Sequence, residues 1–414
     1  MSNPPTTLRA RAWVEVRLDR LRANTLTALS ALGADARLVP MVKAEAYGLG
    51  LEAVSLALRD FPREGDPWAF GVAAVSEGLR LRDSGWDGRV IVFSPTPSGE
   101  YRSAGEAGLT LCLSDLNAVR RLASVARDLG HRIPFHLEID TGMGRSGFPW
   151  RDVVLWGAEV VGTMGDQLFW EATFTHFHSA DEPDLASTDR QWERWCEAVS
   201  RLPALEPRPV EYVANSAVTL RRGGYGCALA RPGIFLYGGR AGAGTEPATV
   251  ASVRAKLVLI RRAEAGDTVG YGATWTAKGD EVWGTLAIGY GDGIPRALSP
   301  GGGQVIVRGH RVPIIGRVSM DMITIDLTTA PDAEEGDIAT LIGLDGAEEI
   351  TVDEVAARCG TISYEILTGL TSRLPRVYLD GELEVAFASN NTIYRAARNS
   401  GALVLGLPET DDID

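Results

Sequence analysis

One pattern constrains this chain more than any other. Between residues 38 and 231 a short apolar run, a turn and an amphipathic stretch recur in the same order. The apolar runs fall at residues 38–43, 69–74, 89–93, 109–113, 133–139, 171–177, 210–214 and 227–231, and each reads as a strand. Helical periodicities lie between them, as in residues 115–129, opened by Asp115 at a capping position. Eight strand–helix units in about 230 residues fit a closed (β/α)8 TIM-type barrel. A doubly wound open sheet is the alternative, but it needs a topological switch and usually fewer strands.

The pattern has flanks of a different kind. Residues 12–17 alternate like a half-buried strand, and Asp19 then reads as the cap of a helix with Leu26, Leu29 and Leu32 on one face. The rhythm breaks in the Gly-rich residues 240–247, which read as a linker. Beyond it come short β runs at 253–261, 283–289, 304–307, 312–318, 322–327 and 338–342, with a single clear helix at 352–358. The expected organisation is a barrel over 12–240 and a mainly β domain over 241–380, the latter joined by strand 12–17. Residues 381–414, with an apolar run at 402–407 and an acidic end, form an extension with no assignment.

Composition excludes some functions. A net charge of -13 over 414 residues argues against nucleic acid or an anionic membrane as a partner. No apolar run approaches the roughly 20 residues of a membrane helix, and the first seven residues lack the basic start and apolar core of a signal peptide. Cys112, Cys196, Cys227 and Cys359 are far apart and form no CxxC pair, so a reduced, cytoplasmic protein is expected. His176 and His178 lack a neighbouring cysteine or carboxylate cluster, and no metal is expected.

In a barrel, chemistry gathers at the C-terminal ends of the strands. The first strand ends at Lys43, where burial lowers the pKa of an amine and makes it a usable nucleophile. Tyr47 follows four residues on. The fifth strand carries Glu138 and leads to Arg145, the sixth reaches His176, the seventh leads to Asn215 and Ser216, and the eighth to Arg231, Gly233 and Ile234. The loops after strands seven and eight are where barrels bind phosphate. Ser216 offers a hydroxyl there, and Gly233 and Ile234 offer backbone N–H groups. A Schiff-base lysine opposite a phosphate site suggests pyridoxal phosphate, an electron sink that the protein must fix and tune. Each residue also has a plainer reading: a lysine closing a strand, a core histidine, ordinary Asn–Ser turn chemistry. Their joint placement on successive strand ends favours the site.

With these residues in view, the chain resembles the pyridoxal-phosphate-dependent alanine racemases. The resemblance runs from Ala12 to about Tyr378 and rests on nine motifs, at residues 42–48, 140–147, 175–177, 214–217, 231–238, 269–275, 288–293, 316–321 and 361–365. It implies a racemase of L- and D-alanine acting as a head-to-tail homodimer. Lys43 would hold the cofactor and serve as one base, and Tyr271 of a partner subunit would be the second. Tyr47, Ser216, Gly233, Ile234 and Tyr364 would hold the phosphate, with Asn215 beside them. Arg231 would face the pyridine nitrogen, with His176 behind it. Arg145 would reach the substrate carboxylate together with the Met320 N–H. Arg296 and Arg317 match residues of the substrate access route, and Tyr290 and Asp321 are supporting residues.

Three positions depart from the family pattern: Glu45, Leu49 and Glu138. Many members carry a carbamylated lysine where Glu138 stands, so Glu138 is expected to supply a permanent charge to Arg145, directly or through a water. A broader racemase accepting serine or larger amino acids is a second reading. A decarboxylase of the same fold would need an acidic residue where Arg231 stands. A cofactor-carrier barrel would lack the β domain.

Overall fold

Eight parallel strands close into a barrel, and the closure depends on very short pairings. The computed structural model describes residues 10–33, 35–59, 66–221, 225, 228–242, 244–299, 302–381, 383–387, 393–397 and 403–404. Strands Ala69–Val72, Arg89–Val92, Thr110–Leu113, Ile133–Asp140, Leu168–Phe174 and Val210–Tyr212 form a continuous parallel sheet. Arg37–Leu38 pairs with Leu229–Ala230, and single bridges from Met41 to Gly71 and from Ala214 to Ala230 join this pair to both edges. The first strand is therefore paired at its start and again at Met41, and it stops short of Lys43, which opens a turn. The sixth strand lies three residues earlier than its apolar run suggested, leaving Thr175 and His176 in the loop above it. Of the eighth run, Leu229–Ala230 is the strand, and Cys227 lies outside the described residues.

Helices cover the barrel in sequence order, with one exception. After the eighth strand the chain makes only the 3-10 turn Ile234–Tyr237. Helix Leu18–Ala31, from before the first strand, packs against that turn, and buried Asn24 donates to the carbonyls of Leu236 (3.3 Å) and Ala248 (2.9 Å). Asp19 is not the cap of this helix. Arg17 occupies that position, and the Asp19 carboxylate takes the Arg17 guanidinium at 2.8–2.9 Å instead. The buried face is Leu18, Leu21, Asn24, Thr25 and Ala28, while Leu26 points outward. Asp115 does cap helix Leu116–Leu129, accepting the Ala118 N–H at 2.9 Å.

The second body is built on the 13-residue strand Ala251–Ala263. It pairs antiparallel with Ala12–Arg17, Glu281–Leu286 and Ile338–Asp345, and Ala12–Arg17 pairs in parallel with Arg376–Asp380. The first strand of the chain thus lies in the sheet of the second body. Strands Leu383–Phe387, Ile393–Ala397 and Leu403–Val404 continue that sheet at its edge. Two helices, Val352–Cys359 and Ser363–Thr368, interrupt the β pattern where the sequence suggested one. The second helix is only six residues long and begins at Ser363, too short for its periodicity to register. Among the described residues no helix is long and apolar enough to cross a membrane.

Candidate active site

Lys43 opens a turn of the wrong hand. Ala44, Glu45, Ala46 and Tyr47 have φ of 49–58° and ψ of 37–55°, a left-handed turn of four non-glycine residues closed by Gly48 at φ 82°. Each such residue costs about 1–2 kcal/mol, roughly 4–8 in all. Strain of this kind persists only where the surroundings over-determine it. The turn places Lys43 and Tyr47 on the lining of one cavity of about 370 Å³ at the C-terminal mouth of the barrel. Lost hydration and the charges of Arg145 and Arg231 hold the Lys43 amine below the usual lysine range, with Glu77 opposing them.

Tyr47 is the floor of one end. Its ring stacks on Tyr237 at 4.5 Å, whose hydroxyl donates to the Met41 carbonyl at 2.8 Å, and Tyr364 lies 5.9 Å away. Burial pushes the Tyr47 phenol above its usual range, so it stays protonated and can donate. A Cβ at position 233 would lie 2.0 Å from the Tyr47 hydroxyl oxygen, so only glycine lets these two segments meet. The Gly233 N–H donates to Ser216 Oγ at 2.8 Å. Asn215 has a structural task here: its side chain caps helix Ser216–Leu220 by accepting the Val218 N–H. The result is a tight concave end of hydroxyls and backbone.

At the other end Arg231, 6 % exposed, is held from several sides. It donates to the carbonyls of Thr175 (2.9 Å) and Val213 (3.4 Å) and to His176 Nδ1 (3.2 Å). Its guanidinium carbon also sits 5.3–5.5 Å from the ring centres of Phe93, Phe174 and Tyr212. An arginine only donates, so His176 must accept at Nδ1 and carry its proton on Nε2. Lost hydration and the nearby Arg231, Arg145 and Lys43 hold His176 well below its usual range, and it is neutral.

Glu138 and Arg145 both line the cavity, but they do not meet directly. Glu138 Oε2 accepts from Ser146 Oγ at 2.6 Å and from Ser114 Oγ at 3.3 Å. Among the described residues no ion pair joins Glu138 to Arg145. The reason is reach: a glutamate ends about 3–4 Å short of a carbamylated lysine, and its carboxylate stops at the serine beside Arg145.

The remaining expected residues lie away from this cavity. Tyr271, 70 % exposed, stands in the turn between Thr268–Val269 and Trp275–Thr276. Arg317 lies beside that turn, against Gly272. Tyr290 and Met320 sit on two loops pressed so closely that a Cβ at Gly289 would lie 2.3 Å from the Ser319 carbonyl oxygen. Buried Asp292 builds this corner, accepting the Gly289 N–H (2.9 Å) and the Arg11 guanidinium (2.6 Å). Asp321 pairs with Arg373 at 2.6 Å, and Arg296 opens a turn whose Ser299 accepts the Val318 N–H. All six line the β body, and none lines the cavity of the same chain.

Sequence reasoning missed Phe93, Phe174, Tyr212 and Tyr237. Tyr237 stood inside a noted motif, and its apolar neighbours made it look like plain core. The ring trio around Arg231 comes from three different strands or strand ends, a grouping no local pattern announces.

Lys43, Arg145 and Arg231 face two lining carboxylates, Glu138 and Asp181, so the cavity favours an anionic ligand. An amine held below the usual lysine range at one wall, a tight hydroxyl and backbone cradle at Gly233 and an obligate donor at Arg231 fit pyridoxal phosphate. Comparisons with known proteins agree. The family model described as alanine racemase, N-terminal domain, matches residues 16–241, and that of the C-terminal domain matches residues 250–378. Alanine racemase of Syntrophobacter fumaroxidans is 36% identical over 364 residues, covering 86% of this chain and 94% of that protein. The solved alanine racemase of Clostridium difficile superposes with TM-score 0.84 at 27% identity, covering 92% of this chain and 99% of the other. Alanine racemase from Bartonella henselae, solved with covalently bound pyridoxal phosphate, gives TM-score 0.79 at 26% identity over 89% of this chain and all of the other.

Proposed function

This chain belongs to the alanine racemase family and interconverts L- and D-alanine, and we propose from that premise how its own residues divide the work. Lys43 carries pyridoxal phosphate. When bound, that group supplies the electron sink that makes the substrate Cα–H acidic. Tyr47, Ser216, Tyr364 and the backbone at Gly233 and Ile234 would hold its phosphate. Arg231 cannot give up its proton. Facing the ring nitrogen, it would offer a hydrogen bond without giving up a proton, which would limit electron withdrawal and restrain transamination. Arg145 binds the substrate carboxylate, and Glu138 steadies the Arg145 loop through Ser146.

Racemisation moves a proton on both faces of one carbon, and a single group cannot reach both. Lys43 Nζ moves the proton on one face, and Tyr271 Oη of a second copy moves it on the other. The observation that carries this reading is the division of the residues. One chain assembles Lys43, Arg145, His176 and Arg231 around a cavity and leaves Tyr271 and Met320 exposed on another body. A homodimer with shared sites, acting on a free amino acid in the cytoplasm, accounts for that division.

A racemisation assay on a panel of L-amino acids tests the reading. Alanine should turn over far faster than serine or larger substrates. Comparable rates for serine would replace it with a broader racemase, and carbon dioxide release in place of racemisation would sink it.

A further inference from the structure

The left-handed turn after Lys43 is held from outside as well as from within. Its own hydrogen bonds include Ala46 N–H to the Val42 carbonyl (2.9 Å), Leu49 N–H to the Ala46 carbonyl (3.2 Å) and Gly50 N–H to the Glu45 carbonyl (2.8 Å). Two side chains from outside the cavity grip its ends. On the barrel side Glu77, in helix Val75–Asp83, accepts the Ala44 N–H at 2.6 Å with one oxygen. Its other oxygen accepts the N–H groups of Ala73 (2.8 Å) and Ala74 (3.1 Å). On the other side stands Arg376, in strand Arg376–Asp380 of the β body. Its Nε and Nη2 donate to the Gly48 carbonyl at 3.0 and 2.8 Å. The remaining donors go to the carbonyls of Leu370 (2.7 Å), Leu374 (2.6 Å) and Thr371.

All five N–H groups of a guanidinium are thus spent on backbone carbonyls. Among the described residues no carboxylate pairs with Arg376, which is an uncommon use of a half-buried cation. The neighbouring chain is shaped to the same turn. A Cβ at Gly48 would lie 2.3 Å from the Leu367 carbonyl oxygen, and one at Gly50 would lie 2.0 Å from the Tyr378 hydroxyl. This part of the chain therefore meets the turn through the Leu367 backbone and the Tyr378 hydroxyl as well as through Arg376.

We propose that Arg376, with Glu77 at the opposite end, is a positioning residue for Lys43: it fixes the left-handed turn and so aims the lysine into the cavity. The β body then serves the lysine of its own chain as well as offering Tyr271 outward. The inference rests on Lys43 being the cofactor-bearing base.

The test uses the full chain with Arg376→Met, Arg376→Lys and Glu77→Gln. Backbone amide exchange is followed in the cofactor-free protein, and kcat and KM for alanine in the loaded one. Arg376→Met should speed exchange in residues 43–50 at least about tenfold while strands Arg89–Val92 and Thr110–Leu113 keep their protection. It should lower kcat about 10- to 100-fold with little change in KM, as expected for a misaimed reacting group. Arg376→Lys should fall between, and Glu77→Gln should give the same pattern more weakly. Unchanged exchange in the turn, unchanged kcat, or protection lost evenly across the barrel would each overturn the proposal. If Arg376→Met does not fold, the other two variants carry the same readouts. Borohydride fixation of pyridoxal phosphate on wild-type Lys43, located by peptide mapping, separates the two ideas. Fixation elsewhere would remove the underlying reading whatever the exchange shows.

Discussion

The barrel mouth and the exposed corner of the β body use the same residue types in opposite states. At the mouth Tyr47 is buried, stacked and kept protonated, and Arg231 is tied to two carbonyls, a histidine and three rings. At the corner Tyr271 and Met320 are 70 % and 52 % exposed, and Arg317 lies along the turn that carries the tyrosine. The corner is nonetheless rigidly built, because buried Asp292 and the close loops at Gly289 hold it. Order without burial is what a half-site waiting for a second surface looks like. On the proposed division of labour, the first region would hold the cofactor and the second would complete the site of another copy.

The sharpest way to break that contrast is to disable the two halves separately. Lys43→Ala should abolish the visible absorbance of the bound cofactor and essentially all activity. Tyr271→Ala should keep the colour and lose most activity. Refolded together, the two inactive proteins should regain roughly a quarter of wild-type activity, since half of random dimers hold one intact site. No recovery from a mixture shown to exchange subunits would mean the halves belong to one chain.

A smaller and more specific effect is expected of Tyr271→Phe. Removal of the hydroxyl should slow proton abstraction from L-alanine far more than from D-alanine, because Lys43 still serves the other face. Isotope exchange or single-turnover deprotonation reads this, as steady-state rates are bound by the overall equilibrium. Equal damage in both directions would make Tyr271 structural.

Within the finished half, Glu138→Gln asks how a charge works at one remove. The Ser146 hydroxyl would lose a charge-assisted partner, a change worth about 1.5–3 kcal/mol at most. Activity should fall about tenfold, chiefly through KM, and should not respond to bicarbonate depletion. Wild-type activity that rises with added bicarbonate would show that the charge at this wall is not supplied by Glu138.

The smallest effect is on stability. His176 and the fully buried His136 are both held below the usual histidine range, His136 by burial despite its contact with Glu171. The unfolded chain therefore binds more protons than the folded one below about pH 6.5, and stability falls as pH falls through that window. Both residues lie in the barrel. Acid should therefore loosen barrel strands first. Amide exchange at pH 7.5 and 5.5 checks this, and equal loosening of both bodies would count against it.

Much of the candidate site was legible because its residues sit at strand ends, where a period of two and a following turn can be read locally. The plainer features of the fold followed the same route, including Asp115 as a cap. Asp19 misled because a carboxylate in a first turn has the same sequence signature as one at the cap, and here Arg17 captured it. The cover of the eighth strand was not legible either, since its helix comes from before the first strand.

By itself the sequence determined the alternation of strand and helix, the break near residue 240 and the chemical types that meet at the barrel mouth. Those follow from side-chain volume, polarity and period, which act over a few residues. Only the tertiary structure decided that Lys43 opens a left-handed turn, that Glu138 stops at Ser146, and that Tyr271 stands exposed and outside the lining of its own cavity. No local preference favours four consecutive non-glycine residues at positive φ. Grips from Glu77, 33 residues away, and Arg376, 328 residues away, outweigh that preference. The Glu77 contact forms only when the barrel closes, and the Arg376 contact only when the β body packs on it.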